Sequence, residues 1–436
     1  MNTSPSPLNR RFPHVIALVA CLLIPAWTTW GGGIEDLVTD AKLWERTRGE
    51  FTDAYRELGF RWTSRDKREC RAVGDLSLTD GIPVEEVLVR FEDDAAAAVA
   101  LSIYNRGDAG DIAFGKFTSI GENLTRWLGQ TCDSRGRQLD GLRATGIRRK
   151  ARQWRKTPHL YRLEWAVSTV VGQSDHRPEY IRLELLPAAT AGGTLGDRTR
   201  TPTPLELRQN VAERENGDQV IEGIPMVDQG QKGYCAVAVM DRVLTYLGRD
   251  VDQHELAQIA DTGTRGGTDP ESLRKALRRF AGHFKIHVGA IQEFDMDELR
   301  DLVRDYNRQA DRAEKPEIEL PDHGVILLND IYRAMEPKLV VAARESDRTG
   351  MNNFRNAVRR GIRDGVPLVW SVMLGVVKEP GLRQAGGGHM RLIIGHNPDT
   401  DEILYSDTWG RGHEEKRMPL AHAWAITTNL YRIMPR

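Results

Sequence analysis

The spacing of hydrophobic and polar positions predicts both helices and strands in the first part of the chain. Residues 34–58 carry apolar positions at helical spacing, which predicts a helix that ends at Gly59. Ser119 and Glu122 have the spacing of a capping box and predict another helix start. Three segments alternate apolar and polar positions, as half-buried strands do: residues 87–91, 161–167 and 181–185. This pattern predicts one α+β domain over residues 34–187.

The composition changes after this region, and then a second pattern begins. Glycine, threonine and proline become frequent over residues 188–204, which predicts a linker. Within residues 205–436 helical spacing comes first, with a helix expected over residues 236–247. Strand-like segments follow: residues 367–374, 390–394 and 403–406. Helices first and sheet afterwards predict an α+β domain with room for a cleft between two lobes.

The N-terminus has the pattern of an export signal. Arg10 and Arg11 precede an apolar run over residues 15–27. This run is shorter than the about 20 residues that a membrane-spanning helix needs. We therefore expect residues 1–33 to be a signal peptide, and the protein to be secreted or periplasmic, with no stable membrane insertion after signal removal. A lipid anchor on Cys21 and an uncleaved anchor are the alternatives.

Charge and cysteine content exclude several classes of protein. The chain contains 61 lysine and arginine residues against 62 aspartate and glutamate residues, a formal net charge of −1. Nucleic-acid-binding proteins usually carry a clear basic excess, so we expect no nucleic-acid partner. Four cysteines are too few for a disulfide scaffold. If Cys21 leaves with the signal, we expect a disulfide between Cys70 and Cys132, which lie in the same domain, and a free thiol at Cys235.

Cys235 is the first candidate for chemistry. A loop punctuated by glycines, residues 227–234, leads to this cysteine at the start of the predicted helix. The N-terminus of a helix presents unpaired N–H groups and about half a positive charge. At such positions, with the help of a cation, the pKa of a thiol falls from about 8.5 to roughly 3.5–7.5. A nucleophilic thiol and a buried core cysteine are both consistent with this pattern.

His389 and Asp407 are candidates for the base and orienting group that a nucleophilic thiol needs. The segments on either side of Pro398 form a predicted antiparallel hairpin in which Ile393 pairs with Ile403. In that register His389 pairs with Asp407, and both side chains point to the same face. Asp407 would then accept the imidazole N–H and fix the tautomer. A slip of one residue would separate the two side chains.

Gln229 completes a candidate site, because it lies six residues before Cys235 on the same loop. Its side-chain amide, together with the Cys235 backbone N–H, could stabilise the oxyanion of an acyl-transfer intermediate, typically worth about a hundredfold or more in rate. An ordinary loop glutamine is the alternative. The sequence has no standard metal-ligand spacing and no nucleotide-binding motif, so we expect no metal and no cofactor.

Three segments together resemble the papain-like cysteine peptidases. Residues 229–235, Gln-Gly-Gln-Lys-Gly-Tyr-Cys, resemble the nucleophile loop of that superfamily. Gly388-His389 resembles its histidine strand, and residues 407–410, Asp-Thr-Trp-Gly, resemble its Asn-Ser-Trp-Gly motif. The chain is similar to the bacterial branch that includes bacteriocin-leader-processing (double-glycine) peptidases, in which the third residue is aspartate. The resemblance covers residues 221–435.

The resemblance implies a papain-like fold for residues 205–436, with a helical lobe followed by an antiparallel β lobe. The implied roles are nucleophile, general base and acid, orienting carboxylate and oxyanion donor, carried by Cys235, His389, Asp407 and Gln229 respectively. Trp409 would be the indole that shields the histidine from water, with a core aromatic as the alternative. Substrate contacts are expected at Gly233, Tyr234, Gly388 and Trp409. Papain's tryptophan after the cysteine is Ala236 here, which affects the shape of the cleft rather than the chemistry.

These observations predict an exported cysteine peptidase that hydrolyses peptide bonds through a Cys-His-Asp triad and a thioester acyl-enzyme. Its partner would be a protein or peptide substrate. A cell-wall peptide amidase or transacylase of the same superfamily is one alternative, and a catalytically silent binding module is another. Three roles stay open for the N-terminal domain: a substrate or envelope binder, an inhibitory segment acting within the chain, and a structural companion.

Overall fold

The computed structural model describes these residues: 33–139, 143–144, 147–169, 176–190, 201–229, 235–249, 256, 275, 277–278, 281–282, 284–321, 326–380 and 386–436. Over these residues the protein is a mixed α and β fold built on two antiparallel sheets. The predicted signal peptide, apart from Gly33, and residues 191–200 of the predicted linker lie outside the described residues. None of the described helices is both long and apolar enough to cross a membrane.

The first sheet has nine antiparallel strands in the described part of the chain, β1 to β9: Arg61–Trp62, Glu69–Leu78, Ile82–Glu92, Ala95–Asn105, Arg137–Leu139, Arg143–Ala144, Ile147–Lys156, His159–Thr169 and His176–Pro187. Their spatial order is β1-β2-β3-β4-β9-β8-β7-β5, with β6 beside β7. The described α-helices here are α1 to α4: Ile34–Thr39, Arg48–Ala54, Arg106–Ala109 and Phe114–Thr131. One face of the sheet packs against α1, α2 and α4 in a single core. Strands β3, β8 and β9 confirm the three predicted alternating segments.

The single helix predicted over residues 34–58 is wrong. Helices α1 and α2 are separate, and 3-10 turns follow them: Leu43–Glu45 and Arg56–Leu58. Thr47 begins α2 with a capping box, in which its hydroxyl accepts from the Glu50 N–H and its own N–H donates to the Glu50 carboxylate at 2.9 Å. The predicted stop at Gly59 is confirmed, since this residue ends the second 3-10 turn with φ at +70°.

The helix start predicted at Ser119 and Glu122 is also wrong, because α4 begins five residues earlier and includes both. The Ser119 hydroxyl donates to the Gly115 carbonyl at 3.0 Å, one turn back in the same helix. A serine that bonds backwards in this way is an interior helix residue and not a cap.

The three described cysteines are free thiols, so the disulfide predicted between Cys70 and Cys132 is not formed. Cys70 is fully buried on β2, Cys132 follows α4, and both pack with the first core. Burial raises the pKa of both thiols, which makes them less reactive. The prediction failed because two cysteines in one domain need not reach the narrow range of geometries that a disulfide requires.

The second sheet has eight antiparallel strands among the described residues, β10 to β17: Val211–Glu213, Gln219–Ile221, Ile286–Gln292, Leu368–Leu374, Gly387–Asn397, Glu402–Ser406, Lys416–Pro419 and Thr427–Pro435. Their order is β10-β11-β14-β13-β17-β12, with β15 beside β14 and β16 beside β15. The described helices of this part are α5 to α11: Pro204–Gln209, Cys235–Tyr246, Met296–Arg312, Leu328–Ala334, Pro337–Ser346, Arg348–Arg363 and Leu420–Ile426. Strands β13 to β15 confirm the predicted strand segments, and α6 confirms the predicted helix.

Helices cover both faces of the second sheet. Along β13, Leu368 and Trp370 point to a core shared with α7 to α11, whereas Val369 between them points to a core shared with α6. The predicted order of helices first and sheet afterwards is only part of this layout, because β12 precedes α7 and α11 follows β16. The papain-like arrangement of two lobes and the bounds of the two domains stay predictions.

Candidate active site

Cys235 is the first residue of α6. It is 4% exposed and packs in the core between α6 and the second sheet. Both interpretations of the sequence, a buried cysteine and a cysteine at a helix N-terminus, therefore describe this position. The N–H groups in the first turn of a helix favour negative charge, which stabilises a thiolate there. Gly233 and Tyr234, predicted to contact substrate, lie outside the described residues.

His389 and Asp407 form a buried pair beside this helix. His389 lies near the start of β14, and Asp407 directly follows β15. The imidazole Nε2 lies 2.6 Å from Asp407 Oδ1, and the carboxylate is 0% exposed. The Cys235 thiol lies within hydrogen-bonding reach of the same ring. Because Asp407 occupies Nε2, Nδ1 is the ring nitrogen left to face the thiol.

The hairpin that carries this pair has a different register from the predicted one. The observed pairs are Leu392–Ser406, Ile393–Tyr405 and Gly395–Leu404, with a bulge between the last two. Near the site the register is thus two residues away from the predicted pairing of Ile393 with Ile403. A shift of two residues keeps each side chain on its face, so His389 and Asp407 still point to the same side. Continued by one residue, the observed register places Arg391 directly opposite Asp407.

The surroundings of His389 and Asp407 favour the charged form of both groups. Burial by itself lowers the pKa of His389, but the charge and hydrogen bond of Asp407, followed by the contact with Cys235, raise it to about 9. Burial by itself raises the pKa of Asp407, but His389 and then Arg391 lower it to about 2. Both shifts favour an imidazolium paired with a carboxylate at neutral pH.

Both oxygens of the Asp407 carboxylate accept hydrogen bonds from N–H groups. Oδ1, which faces His389, also accepts from the Thr408 backbone N–H at 2.8 Å. Oδ2 accepts from Arg391 Nε at 2.8 Å. A carboxylate held from both sides cannot rotate, so it fixes the plane of the imidazole that it contacts.

A second buried arginine, Arg242, joins α6 to the end of β15 and to Asp407, which follows it. One Nη donates to the Asp407 carbonyl oxygen at 2.8 Å, and the other donates to the Ser406 hydroxyl at 2.5 Å. Its Nε donates to the Pro225 carbonyl at 2.7 Å. Arg242 lies on the same helix as Cys235. These bonds therefore fix the distance between the Cys235 thiol and the pair formed by His389 and Asp407.

Gln229 lies beside the same strand and is buried. Its backbone N–H donates to the Thr408 carbonyl at 2.8 Å. The Thr408 hydroxyl donates to Gln229 Oε1. This second bond makes Oε1 the acceptor end of the amide and places the Nε2 donors on the opposite side of the group. The orientation suits a side chain that donates to an oxyanion.

Trp409 covers the histidine. The indole and imidazole rings stack with their centroids 4.4 Å apart and an angle of 11° between their planes. The next residue, Gly410, has φ at +74°, and a Cβ there would lie 2.6 Å from Asp228 Oδ2. Glycine is therefore required where the turn after Trp409 approaches the loop that carries Asp228. The stacked indole keeps water from one face of His389, which strengthens the interaction with its carboxylate partner.

Gly388, predicted to lie against substrate, is exposed beside His389. A Cβ at this position would meet no atom within 4 Å, so packing within the described part of the protein does not require glycine there. A cavity of about 240 Å³ opens beside the preceding residue, Gly387. Its lining includes apolar groups from β13 and from the helices above it: Tyr332, Met335, Val340, Met373 and Leu374.

The first sheet contacts the second part of the chain close to this site. The guanidinium of Arg71, on β2, donates to the Asp228 carbonyl at 3.4 Å and lies 3.9 Å from the Asp228 carboxylate. The Arg65 backbone N–H donates to Glu414 Oε1 at 2.8 Å. Asp228 and Glu414 belong to the two loops that carry the candidate oxyanion donor and the stacked indole. Both contacts therefore reach the rim of the candidate site.

Four residues of this arrangement were not predicted from the sequence: Arg242, Arg391, Thr408 and Glu379, whose carboxylate accepts from Arg391 Nη1 at 3.0 Å. Arg391 gave the clearest signal, because it is the one charged residue within the apolar segment of residues 390–394. A single charge in a strand with both faces buried needs a partner of opposite charge. That argument would have directed attention to the carboxylate across the hairpin.

Comparisons with known proteins found no matching family model and no matching curated protein. Two solved structures that match are the peptidase domain of Streptococcus ComA, a bifunctional ABC transporter in a quorum-sensing pathway, and xylellain, a cysteine protease from Xylella fastidiosa. The ComA domain is 13% identical at a TM-score of 0.24, with 49% of this chain and 100% of that chain covered. Xylellain is 12% identical at a TM-score of 0.27, with 56% and 93% covered.

Proposed function

We propose that this protein is a cysteine peptidase of the papain-like type. Cys235 is the nucleophile, and His389 is the general base and acid, oriented by Asp407. The observation that carries the proposal is the buried 2.6 Å contact between His389 Nε2 and Asp407 Oδ1, beside the first residue of α6. A base that is held by a carboxylate next to a thiol is the arrangement that nucleophilic catalysis requires.

The proposed reaction proceeds through a thioester. The Cys235 thiolate attacks the carbonyl carbon of the peptide bond, and the π electrons move to the carbonyl oxygen. The His389 imidazolium then gives its proton to the leaving nitrogen as the C–N bond breaks, which leaves the acyl group on sulfur. Neutral His389 next takes a proton from water, whose oxygen attacks the thioester and displaces the thiolate. Asp407 keeps the ring in one tautomer in both steps.

The tetrahedral intermediates carry a negative charge on the former carbonyl oxygen, which N–H donors must stabilise. We assign this role to Gln229 Nε2 and the backbone N–H of Cys235. The bond from the Thr408 hydroxyl supports the assignment, because it holds the amide in one orientation before substrate binds. Donors that are oriented in advance need no reorganisation during the reaction.

The surface next to His389 supports a protein or peptide as the substrate. A peptide backbone that passes over Gly388 would meet no side chain there, and the neighbouring cavity beside Gly387 has an apolar lining. Substrate pockets are usually concave and mostly apolar, with a few polar groups that set orientation. We propose that an apolar side chain of the substrate occupies this cavity.

Replacing Gly388 by alanine tests the proposed path of the substrate. We expect kcat/KM to fall about tenfold or more, because the new methyl group would occupy space that the substrate backbone needs. The thermal unfolding temperature should not change, because the methyl meets no atom of the described protein. Gly121→Ala on α4 is the matched control, since a Cβ there also meets no atom within 4 Å. Equal losses of activity in both variants would contradict the proposed path.

The pH dependence of Cys235 alkylation tests the proposed thiolate–imidazolium pair. Because the pKa of His389 is raised to about 9, its positive charge is present below that pH and is lost as the pH rises through it. We expect fast labelling by iodoacetamide at pH about 5–6, where an ordinary thiol with a pKa of about 8.5 is protonated. In His389→Ala, labelling at this pH should collapse and return only near pH about 8–9. Peptide mass mapping identifies the labelled cysteine.

Cys132 is the internal control in the same digest, since burial raises the pKa of its thiol and its labelling should increase only at alkaline pH. If Cys235 followed the profile of Cys132 and did not respond to His389→Ala, the proposed pair would not exist. The protein would then be a silent relative or a binding module.

We further propose that the N-terminal segment exports the protein. We also propose that the first sheet restrains the loops at the rim of the site within the same chain. The charged and apolar pattern of residues 1–33 supports export. The contacts of Arg71 with Asp228 and of Arg65 with Glu414 support the restraint, because they reach the loops on either side of the site.

A further inference from the structure

The residue opposite Asp407 in the hairpin is a buried arginine, Arg391, which is 0% exposed. Its Nε donates to Asp407 Oδ2 at 2.8 Å, while Oδ1 of the same carboxylate contacts His389. We propose that Arg391 is a positioning residue that fixes the Asp407 carboxylate against His389. This inference rests on the proposed function of the same site. It adds a role for a residue that the sequence analysis did not consider.

Arg391 is itself held in one orientation by its other contacts. Its Nη1 lies 2.9 Å from Glu379 Oε2, and Glu379 is buried. The Tyr405 hydroxyl donates to the same carboxylate. The guanidinium lies over the Tyr405 ring at 4.8 Å from its centroid. These contacts hold the planar guanidinium so that Nε points at Asp407.

Stability alone does not account for this network. Removing charges from water carries a large desolvation cost, and well-packed apolar residues in place of a buried ion pair are often neutral or stabilising. A stabilising role is therefore not sufficient to explain Arg391, and we assign its effect to the group that its Nε contacts. That group is Asp407, whose other oxygen orients the proposed catalytic base.

Arg391 also counteracts the effect of burial on Asp407. Burial raises the pKa of this carboxyl, and after His389 the charge of Arg391 is the next cause that lowers it. The ionisable groups that face Asp407 or its partners from the neighbouring elements are Cys235, Asp241, Arg242, Glu379, His389, Arg391, Tyr405, His413, Glu414 and Lys416. Among the described arginines, Arg391 donates to the carboxylate, whereas Arg242 donates to the backbone carbonyl of the same residue.

Three variants separate the effect of the charge of Arg391, the effect of its planar geometry, and the general effect of altering a buried arginine near Asp407. Arg391→Gln combined with Glu379→Gln replaces the buried ion pair with two neutral amides, so no unpaired charge remains. Glutamine matches glutamate in size and is two heavy atoms smaller than arginine. Arg391→Lys keeps the positive charge and loses the planar fork. Arg242→Lys is the matched control, because it alters a buried arginine that contacts the backbone of Asp407 and not its carboxylate.

The test follows the full-length protein with two readouts that need no substrate. One is the rate of Cys235 alkylation by iodoacetamide from pH 3 to 7, and the other is the ring ¹⁵N chemical shift of His389 over the same range. In the unmodified protein the acidic limb of the ¹⁵N profile should lie below this range, because the pKa of Asp407 is about 2. In the double glutamine variant we expect this limb to move up into the range by about 1–3 pH units, and the alkylation profile to move with it, because Asp407 loses an adjacent cation. In Arg391→Lys the limb should stay near that of the unmodified protein. In Arg242→Lys the thermal stability should fall and the limb should not move.

Peptide hydrolysis provides a third readout. We expect kcat to fall about 10–100-fold in both Arg391 variants, as for other residues that orient a catalytic group, with KM little changed. An acidic limb that stays in place in the double variant would overturn the proposal. If that variant does not fold, Arg391→Lys with an unchanged kcat would also overturn it.

Failure of the proposed function would look different. Slow labelling of Cys235 at pH about 5–6 in the unmodified protein would contradict the peptidase itself. The ¹⁵N titration of His389 would still report whether Arg391 sets the protonation of Asp407.

Discussion

Replacing Cys235 by alanine is expected to lower the kcat of peptide hydrolysis by roughly 10⁶-fold, the loss seen when a covalent nucleophile is removed. The physical reason is that no thioester can form without the thiolate. His389 and the proposed oxyanion donors would remain, so only their weak residual catalysis would be left. Hydrolysis of a mixture of fluorogenic peptides measures the rate, and mass spectrometry of the quenched reaction detects the acyl-enzyme in the unmodified protein.

Cys132→Ala is the control for this experiment, because it removes a free thiol that lies outside the site. It should leave kcat unchanged, and circular dichroism should show that both variants fold. Activity that survived in Cys235→Ala would contradict the proposed mechanism. An unmodified protein that binds peptides and never cleaves them would favour the binding module.

Replacing Asp407 by asparagine is expected to lower kcat by about 10⁴-fold, as when the orienting aspartate of a triad is lost. Asparagine occupies this position in the Asn-Ser-Trp-Gly motif that residues 407–410 resemble, so the substitution looks conservative. Here both carboxylate oxygens accept from N–H groups, of His389 and Thr408 on one side and Arg391 on the other. An asparagine NH₂ would therefore face another donor in either orientation, which leaves a buried polar group unpaired.

A second variant tests this donor–donor explanation. In Asp407→Asn combined with Arg391→Gln and Glu379→Gln, the glutamine at position 391 can turn its Oε1 toward the asparagine NH₂. Restoring one hydrogen bond should recover about tenfold in kcat relative to Asp407→Asn alone. No recovery would contradict the explanation. Full activity of Asp407→Asn would contradict the proposed role of Asp407.

The sequence was sufficient to place His389 and Asp407 on one face, but it did not predict the residue opposite Asp407. Alternation along a strand repeats every two residues, so a register error of two leaves the face unchanged. The error arose at the turn, where Asn397 Oδ1 accepts from the Asp399 and Thr400 N–H groups and makes the connection longer than assumed. Next to the turn, where Gly395 pairs with Leu404, the register differs from the predicted one by three residues, and the bulge between Ile393 and Gly395 reduces the difference to two near the site. The bulge thereby keeps His389 and Asp407 on one face. At Gly395 a Cβ would lie 2.6 Å from the Gln219 carbonyl of β11.

Contacts between segments that lie far apart in the sequence could not be predicted, for a different reason. The Thr408 hydroxyl and Gln229 are 179 positions apart, and neither residue has a local pattern that indicates the other. The same holds for Arg242 and the Asp407 carbonyl, 165 positions apart. By contrast, the capping box of Thr47 and Glu50 is a local signal, and it would have divided the helix predicted over residues 34–58.

The three adjacent residues from Asp407 to Trp409 orient His389, hold the amide of Gln229 and cover the imidazole ring. Because these contacts belong to one short stretch, a small displacement of it would disturb the proposed base, the proposed oxyanion donor and the cover over the imidazole together. The carboxylate of Glu414, in the turn that follows, accepts a hydrogen bond from the Arg65 backbone N–H. A displacement of that turn would therefore act on the contacts of all three residues together, without the loss of any helix or strand.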